Sequence, residues 1–403
     1  MKKIFYTPIF ALLLALPIIS VKAQDAVQYS QPTQNVINEV DINLMWSQLK
    51  NFQTLERYTT NQNAEETANY LKSILEQMDF DTVYFQRYNL SESEYVAPNI
   101  IAVKNGTKRA DSTYVVGAHW DSYASMAPAC DDNGTGTGAV LEAGRILSNY
   151  SFERTIMFCL FSGNQFGLSG SKEFVGSLTS NNKIGNIINL DMIGYQDPEV
   201  SFNVGVFPTP NKFDFYDNFQ KIQSLYVPKI ELRSDATYKQ ANSDINNFWD
   251  NGFEGISLSE SYLPGYNENP YKNTENDLLT TSVNSPEKWE LTTKLAIASL
   301  ITYAKLVNTS GIAENESFVN EVNNYPNPFN GTTHINFQIS KSSNISLFIY
   351  DIYGNEVKRI KENEFMTSGN YSIEFDASEI ASGIYFYQIK TETNQISKKM
   401  IIN

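Results

Sequence analysis

The feature that most constrains the fold is an alternation of helical and extended apolar patterns between about residues 35 and 308. Residues 64–78 repeat apolar side chains at helical spacing, whereas residues 112–118, 155–161 and 184–192 are short apolar runs typical of buried strands. Strands that alternate with helices favour parallel pairing with crossover helices. We therefore predict an α/β domain with a doubly wound, mainly parallel sheet flanked by helices.

A change of pattern marks a second domain after residue 308. Residues 309–323 show no periodicity and predict a linker. Residues 324–403 form short alternating apolar and polar runs separated by turn residues, which is typical of a small all-β sandwich. The sequence thus predicts a larger α/β domain over residues 24–308 and a sandwich at the carboxyl end.

The first 24 residues, MKKIFYTPIFALLLALPIISVKAQ, have the features of an export signal. Two lysines precede an apolar run that ends in a small-residue cleavage site, which predicts a signal peptide over residues 1–23. A membrane anchor is the alternative, but the run is short and contains Pro8 and Pro17. No later segment approaches a spanning length, so we expect an exported mature chain without a transmembrane segment.

The net charge disfavours two classes of binding partner, and the positions of the cysteines bear on disulfide bonding. The formal net charge of -15 disfavours nucleic acid and anionic membrane as partners, because both select basic surfaces. The chain has two cysteines, Cys130 and Cys159. Cys159 lies within a buried-strand pattern, where cysteine behaves as a small apolar residue, so we predict two unpaired thiols.

Several polar residues follow the predicted strands. His119 and Asp121 are two residues apart at the end of a predicted strand, so their side chains should face the same side of the sheet. One of them can therefore bind a metal ion while the other orients the first side chain. Asp132 lies in an acidic turn that enters a helix, where acids also serve as ordinary caps. Asp191 interrupts an apolar run and must be paired, hydrogen-bonded or metal-bound.

These residues lie in three of five segments that together, in their order along the chain, resemble peptidase family M28, the co-catalytic zinc aminopeptidases and their relatives. The segments are His119-Trp-Asp121, Asp131-Asp-Asn-Gly-Thr-Gly136, Phe161 to Ser171, Asn189-Leu-Asp-Met-Ile-Gly194 and Ser243-Asp-Ile-Asn-Asn-Phe-Trp249. In that family two zinc ions share one carboxylate. The resemblance implies that Asp132 is this carboxylate, that His119 and Asp191 complete the first site, and that Asp121 orients His119.

The remaining positions of the family site are altered. The resemblance places the general base at Asn164 and the second-ion ligands at Gln165 and Asn273, all of them carboxamides here. A carboxamide is not basic, and loss of a general base costs about 10² to 10⁴ in rate. We therefore identify no catalytic residue, and expect no dinuclear zinc site. Two alternatives remain for the first site. Either a single zinc ion binds to His119, Asp132 and Asp191, or these residues form a metal-free hydrogen-bonded cluster.

The carboxyl-terminal domain resembles the type A sorting domain of the type IX secretion system. Four segments carry this resemblance: Tyr325-Pro-Asn-Pro-Phe-Asn330, residues 347–354, Ser382-Gly-Ile-Tyr385 and Lys398-Lys399. It implies a Bacteroidetes-type protein that the type IX machinery exports for release or cell-surface attachment. His334 belongs to this domain and is expected on a strand surface.

These features favour an exported M28-like protein with impaired catalysis that binds a peptide or a partner protein. An active mononuclear zinc aminopeptidase or amidase and a purely architectural passenger are the alternatives. Aromatic residues between residues 208 and 240 could line a cleft, although packing under the sheet is the commoner role. An enzyme would need a substitute for the missing general base. Four glutamates in the carboxyl-terminal half of the α/β domain are candidates: Glu254, Glu260, Glu268 and Glu275.

Overall fold

The computed structural model divides the chain into two compact units, with the boundary between Val307 and Asn308. The described residues are 27–91, 93–178, 183–235, 240, 242–263, 266–307, 319–339, 342–351, 355–391 and 395–403. The predicted signal peptide lies outside them. None of the helices in these ranges has the length and apolar character needed to cross a bilayer.

The first unit is built on one eight-stranded sheet. Its strands are β1 (Thr82–Gln86), β2 (Asn99–Lys104), β3 (Arg109–His119), β4 (Arg154–Phe161), β5 (Lys183–Leu190), β6 (Asn203–Pro208), β7 (Glu231–Arg233) and β8 (Glu254–Ser259). They lie in the order β1-β2-β4-β3-β5-β8-β6-β7. The central strands β4, β3, β5 and β8 pair in parallel. β1, β2 and β6 extend this centre by antiparallel pairing, so the sheet is mixed but mostly parallel.

Helices cover both faces of the sheet, which confirms the predicted doubly wound α/β class. The helices are α1 (Gln31–Ile37), α2 (Ile42–Phe52), α3 (Ala64–Glu76), α4 (Gly136–Leu147), α5 (Ser169–Ser177), α6 (Asp214–Tyr226), α7 (Ile245–Asp250) and α8 (Pro286–Ala304). The sheet separates two hydrophobic cores, a first core that includes α4 and α8 and a second core that includes α5 and α7. Alternate residues of β3 enter the two cores, because successive side chains of a strand face opposite sides of the sheet. Val116 and Ala118 pack with α4 and α8, whereas Val115 packs with α5 and α7.

The element boundaries follow local chemistry. Ser285 caps α8 by accepting a hydrogen bond from the Lys288 N–H at 3.4 Å, and Pro286 begins the helix. β5 ends at Leu190, two residues before its predicted end. Asp191 therefore follows the strand rather than interrupting it, while its N–H still bonds to the Leu258 carbonyl at 3.0 Å.

The segment between β5 and β8 contains elements that the sequence pattern did not reveal. β6 is buried throughout, but it is short, contains Gly205 and ends in Pro208, both of which weaken a strand pattern. Helix α6 buries Phe215, Phe219 and Tyr226 against the first core. The core interpretation of these aromatics is confirmed.

The second unit is a sandwich of antiparallel sheets. Its strands are β9 (Val319–Tyr325), β10 (Thr332–Ile339), β11 (Ser343–Tyr350), β12 (Glu356–Met366), β13 (Gly369–Asp376), β14 (Gly383–Lys390) and β15 (Gln395–Ile402). The sheets have the orders β13-β10-β9 and β12-β11-β14-β15 and share one apolar core. This is consistent with the predicted all-β sandwich. His334 is exposed on β10, as expected.

One boundary and one covalent prediction can be compared with the structure. β9 begins at Val319, so it overlaps the predicted linker of residues 309–323. Its sequence VNEVNNY is mostly polar, which is why it shows no apolar alternation. Cys130 and Cys159 are both buried and unpaired, which confirms the prediction of two free thiols.

The contact between α4 and α8 generates a stability prediction. A methyl group added at Gly138 would lie 2.8 Å from the ring of Trp289, which is fully buried and donates a hydrogen bond to Thr135. Gly138→Ala should therefore lower the free energy of unfolding by roughly 1–3 kcal/mol, as expected for overpacking. Denaturant unfolding measures the change.

Gly144 in the same helix is the matched control. Its added methyl group would meet the Phe80 ring no closer than 3.2 Å, at the edge of the helix packing. Gly144→Ala should be close to neutral or stabilising, because alanine favours a helix over glycine. Equal losses from both variants would contradict the packing argument.

Candidate metal and ligand site

The candidate site lies where the central parallel strands end. β3 finishes at His119, β4 leads into the short turn Asn164–Phe166, and β5 is followed at once by Asp191. The chain reverses its winding direction here, because β4 and β5 flank β3 on opposite sides. Such switch points form crevices at the carboxyl edge of a sheet, where ligands of open α/β proteins bind.

His119 is the centre of the site and is almost completely buried. Its Nδ1 atom lies 3.3 Å from Asp121 Oδ1, on one side of the ring. On the other side, Nε2 lies 3.3 Å from Asp132 Oδ1 and 3.8 Å from Asp191 Oδ1. Asp121 thus stands behind the ring, whereas Asp132 and Asp191 share the space in front of it.

This arrangement fits one metal ion. Ligand atoms of His119, Asp132 and Asp191 all lie within 4.8 Å of one another. It is the one group of three or more histidine, cysteine, aspartate or glutamate residues found together in the described parts of the chain. One imidazole and two carboxylates form a donor set that suits zinc with an open fourth position. Asp121 is placed to orient the imidazole.

Asp121 also connects the site to neighbouring loops. Its Oδ2 atom accepts hydrogen bonds from the Thr59 hydroxyl at 2.8 Å and from the Asn164 backbone N–H at 3.0 Å. The Thr59 oxygen in turn accepts a bond from the Gly163 N–H at 3.0 Å. The orienting carboxylate therefore fixes the turn after β4 as well as the histidine ring.

The acidic turn that carries Asp132 is held from two directions. The Asn133 side chain donates to the Leu190 carbonyl at 2.8 Å and accepts from the Met192 N–H at 3.1 Å, which joins the turn to the end of β5. From the other direction, the carboxylate of Asp277 accepts the N–H groups of Asp131 and Asp132 at 3.0 and 3.1 Å. Both ends of this turn are thereby fixed before any ligand binds.

Asp191 is positioned by a chain of hydrogen bonds that involves Ser243 and Asn189. The Ser243 hydroxyl donates to Asp191 Oδ2 at 2.8 Å, and the Asn189 amide donates to the Ser243 oxygen at 3.0 Å. Ser243 begins one of the five segments that resemble family M28, but no role was predicted for it. Its function here is to hold one carboxylate oxygen, which leaves the other facing His119.

The three predicted carboxamides do not form a second metal position. Gln165 and Asn273 are exposed, and Asn273 adopts a left-handed backbone conformation with φ of 55°. Asn164 is partly buried, and its side-chain nitrogen has no hydrogen-bond partner among the described residues. Neutral amides lack the negative charge of a carboxylate and the imidazole nitrogen that bind a zinc ion. The residues at the second position do not fit a zinc ion.

The protonation of the cluster follows from its contacts. Burial lowers the pKa of His119, but hydrogen bonds to Asp121, Asp132 and Asp191 outweigh burial and raise the pKa well above its usual value. Burial raises the pKa of Asp132, yet the His119 hydrogen bond and the charge of Lys272 bring it below the usual range. Both shifts favour the charged forms of His119 and Asp132.

Other charged residues are buried near the acidic turn, and their burial was not predicted from the sequence. Arg57 is completely buried and donates to the backbone carbonyl of Ala129 at 2.9 Å. Asp131 and Glu260 are both buried, and burial together with Asp131 raises the pKa of Glu260 well above its usual value. Burial also lowers the pKa of Lys288 to about 8. No sequence pattern marks these residues, because each contact joins distant segments.

A pocket of about 170 Å³ includes Gln240, whose side-chain nitrogen lies 3.5 Å from Asp191 Oδ2. Met192, which follows Asp191, lies in its wall together with Gln240, Glu268 and Lys272. Of the four glutamates considered from sequence, Glu268 lines this pocket and is exposed. Glu260 reaches it too, but its Oε1 atom accepts the Asn269 N–H at 2.7 Å. Glu254 forms an ion pair with Lys212 at 3.3 Å.

The family assignment rests on two matches. Residues 99–294 match the model of peptidase family M28, and these residues include His119, Asp132 and Asp191. The first unit carries an M28 domain. Residues 323–403 match the model of the secretion system C-terminal sorting domain. The predicted combination of an M28 domain with a type IX sorting domain is confirmed, and the sorting domain implies export followed by secretion or surface attachment.

Several known proteins are similar to the M28 unit. Aminopeptidase YwaD of Bacillus subtilis (strain 168) is 27% identical over 164 residues, which cover 40% of this chain and 30% of that protein. The LapA aminopeptidase of Legionella pneumophila has a similar structure with a TM-score of 0.62 and 21% identity, covering 75% of this chain and 80% of that one.

A zinc aminopeptidase from Bacillus subtilis, BSAP, gives a TM-score of 0.57 at 16% identity and is covered over 96% of its length by 66% of this chain. At these identities the solved structures establish the fold alone. Among curated relatives, the chain covers 30%, 25% and 50% of the lengths of YwaD, a probable zinc metalloprotease of Pyrenophora tritici-repentis and a probable leucine aminopeptidase of Arthroderma otae.

The clamp formed by Asp277 generates a second prediction. Asp277→Ala leaves two buried N–H groups, of Asp131 and Asp132, without their acceptor. We expect a loss of roughly 1–3 kcal/mol in the free energy of unfolding, measured with urea. Asp277→Asn keeps one acceptor oxygen and should lose less. Equal stability of Asp277→Ala and the unmodified chain would contradict the clamp.

Asp244 gives a prediction about pH. Burial raises the pKa of this carboxyl to about 6, and one of its oxygens has no partner among the described residues. The ionised form therefore destabilises the folded state above about pH 6, and this cost is removed as the pH falls through 6 toward 4. Asp244→Asn removes the charge, so its stabilisation should be present at pH 8 and vanish near pH 4.

The expected gain at pH 8 is roughly 1–3 kcal/mol, since one unit of pKa corresponds to about 1.4 kcal/mol. Thermal melts across this pH range measure it. Asp217→Asn, on the exposed side of α6, is the matched control and should give no comparable pH-dependent gain. A stabilisation by Asp244→Asn that grows as the pH falls would have the wrong sign.

Proposed function

We propose that this exported protein uses its M28 domain to bind a peptide or a partner protein and that peptidase catalysis is impaired. The observation that carries the proposal is the chemistry of the altered positions. Asn164 replaces the general base that the family resemblance implies, and Gln165 and Asn273 replace the ligands of the second ion. The rest of the site remains assembled.

The first metal position supports retention of a single zinc. His119, Asp132 and Asp191 would hold it, and Asp121 would keep the Nε2 atom of His119 directed at it. A zinc ion bound there would polarise a carbonyl group of a ligand. Relatives that are named zinc aminopeptidases or metalloproteases make zinc the metal to test. We propose one zinc at most and no dinuclear site.

The pocket beside the cluster supports a binding role. It is lined by apolar side chains such as Met192 and Phe207 as well as polar ones such as Gln240. Most of its lining residues are polar, and polar groups of this kind fix the orientation of a bound ligand by hydrogen bonding. Asn164 adds an uncommitted amide at the turn after β4, and an amide can donate a hydrogen bond to a peptide carbonyl.

The metal content and hydrolytic activity of the full chain test this proposal. After dialysis against trace zinc, elemental analysis should find no more than one zinc per chain. Hydrolysis of aminoacyl p-nitroanilides should be at least about 10²-fold slower than that of a two-zinc M28 aminopeptidase assayed alongside. Asp132→Ala should abolish any zinc binding. Two zinc ions per chain, or hydrolysis at the rate of the active enzyme, would refute impaired catalysis.

A mononuclear zinc aminopeptidase or amidase is the second candidate. Glu268 favours it, because this exposed carboxylate lines the same pocket as Met192, the residue after Asp191. Such an enzyme would use Glu268 to accept a proton. In the same assay, activity that disappears both in Asp132→Ala and in Glu268→Gln, with zinc still bound to Glu268→Gln, would establish this function instead.

For the second unit, we propose that the type IX machinery recognises residues 324–403 and that the mature protein is released or attached to the cell surface. The match over residues 323–403 supports this role. The signal peptide over residues 1–23 would direct the first export step.

A further inference from the structure

The four-stranded sheet of the second unit has apolar side chains on both of its faces. Its inner face enters the core of the sandwich with residues such as Leu347, Tyr387 and Ile389. On its outer face, Ile384 and Phe386 of β14 are 45% and 37% exposed. An antiparallel sheet that covers one core normally presents polar side chains on its other face. A contiguous apolar face that is exposed instead marks an interaction surface.

Cross-strand pairing joins the exposed residues of this face into one patch. Phe386 lies opposite Tyr350 of β11 on one side and opposite Lys399 of β15 on the other. Residues directly opposite each other in antiparallel strands point to the same face of the sheet, as do residues two apart in one strand. By this register the outer-face patch consists of Phe348, Tyr350, Ile384, Phe386 and Ile401.

The border of the outer-face patch is cationic on the side of β15. On the side of β12, the Arg359 guanidinium lies 5.3 Å from the centre of the Phe348 ring, and Glu356 pairs with Arg359 at 3.0 Å. Lys399 is exposed and has no ion-pair partner in the described part of the chain. A surface complementary to the patch is therefore apolar, with carboxylates placed to meet Lys399.

The strand that carries Lys399 is held in place by Asn327. The side-chain nitrogen of Asn327 donates to the Lys399 carbonyl at 3.1 Å, and its side-chain oxygen accepts the Ile401 N–H at 2.9 Å. The Phe329 N–H donates to the Ile401 carbonyl at 3.0 Å. These contacts fix β15 at the edge of the sheet, so Lys399 is aligned with Phe386 before any partner binds.

We propose that the outer-face patch, with Lys399 at its border, is the surface through which the type IX machinery binds this protein, and that the receptor presents an apolar surface with carboxylates. This inference rests on the proposed sorting role of residues 324–403. A second copy of this chain, meeting the patch with the same face, would bring another lysine instead of a carboxylate. The four segments that resemble a sorting domain all contribute: residues 347–354 and 382–385 to the patch, 398–399 to its border and 325–330 to the contacts that hold β15.

Export of the full chain by a bacterium that has a type IX system tests the proposal. Ile384→Thr combined with Phe386→Thr removes apolar side chains from the patch and keeps residue types that favour strands. The fraction of the chain found in the medium and on the cell surface should fall about 10-fold or more, as expected when the anchors of an interface are lost. Phe365→Thr is the matched control and should be exported normally, because Phe365 is 67% exposed on β12 but lies opposite Asn344, at the other end of the sheet.

The two adjacent lysines test which face is recognised. Lys399→Glu places a carboxylate beside Phe386 and should lower export, because it repels the carboxylates of the receptor. Lys398 lies opposite the buried Tyr387 and points to the other side of the sheet, so Lys398→Glu should be exported as the unmodified chain is. Equal losses from the two variants would overturn the inference, since they would depend on the charge of the strand and not on its face.

Measurements on the purified full-length variants separate recognition from folding. All of them should keep the melting temperature of the unmodified chain, because the replaced side chains are exposed. A lower melting temperature of the double variant would mean that the chain itself covers the patch. A dimer of the unmodified chain that the double variant dissociates, measured by light scattering, would mean that a second copy covers it. Either result would overturn the inference.

A deletion distinguishes this inference from the proposed function on which it rests. Normal export of a chain that lacks residues 324–403 would refute the proposed sorting role. If that deletion blocks export while the double variant and Lys399→Glu are exported normally, the sorting role stands and only the assignment of the binding face is wrong.

Discussion

The interaction on which the site depends is the sharing of one buried histidine by three carboxylates. His119 ends the central strand, where the sheet directs its ring toward Asp132 and Asp191 in front and Asp121 behind. Buried carboxylates repel one another and lose their hydration, so they require cations and hydrogen bonds nearby. The surrounding loops supply these, which is why so many contacts of the first unit converge on this edge of the sheet.

The contacts that support the ligand residues are separate from the three carboxamide positions. Asn133, Asp277 and Ser243 each hold a ligand residue or its backbone, and none of these contacts requires a metal ion. The geometry is therefore a property of the fold. Substitution at Asn164, Gln165 and Asn273 can change what the site does while the positions of His119 and the aspartates stay the same. Scaffold and chemistry are separable here because different residues carry them.

Sequence reasoning reached most of the fold because the periodic patterns report burial directly. The central strands β3, β4 and β5 were predicted within a few residues, and the sandwich followed from alternation along strands such as β10. It did not reveal β6, whose glycine and proline conceal it, or β9, whose residues are mostly polar. These strands exist because neighbouring strands supply hydrogen bonds, which no local pattern records.

For the site, the sequence by itself determined which residue types are available: one histidine in the M28 unit, the aspartates of the acidic turn, the aspartate that follows β5, and amides at the altered positions. Their order along the chain was enough to indicate the family. The tertiary structure decided which charges face one another. Arg57 and Glu260 come to the neighbourhood of the acidic turn from segments far apart in sequence, and electrostatic energy depends on distance in space and on burial. Only the folded chain sets those two quantities.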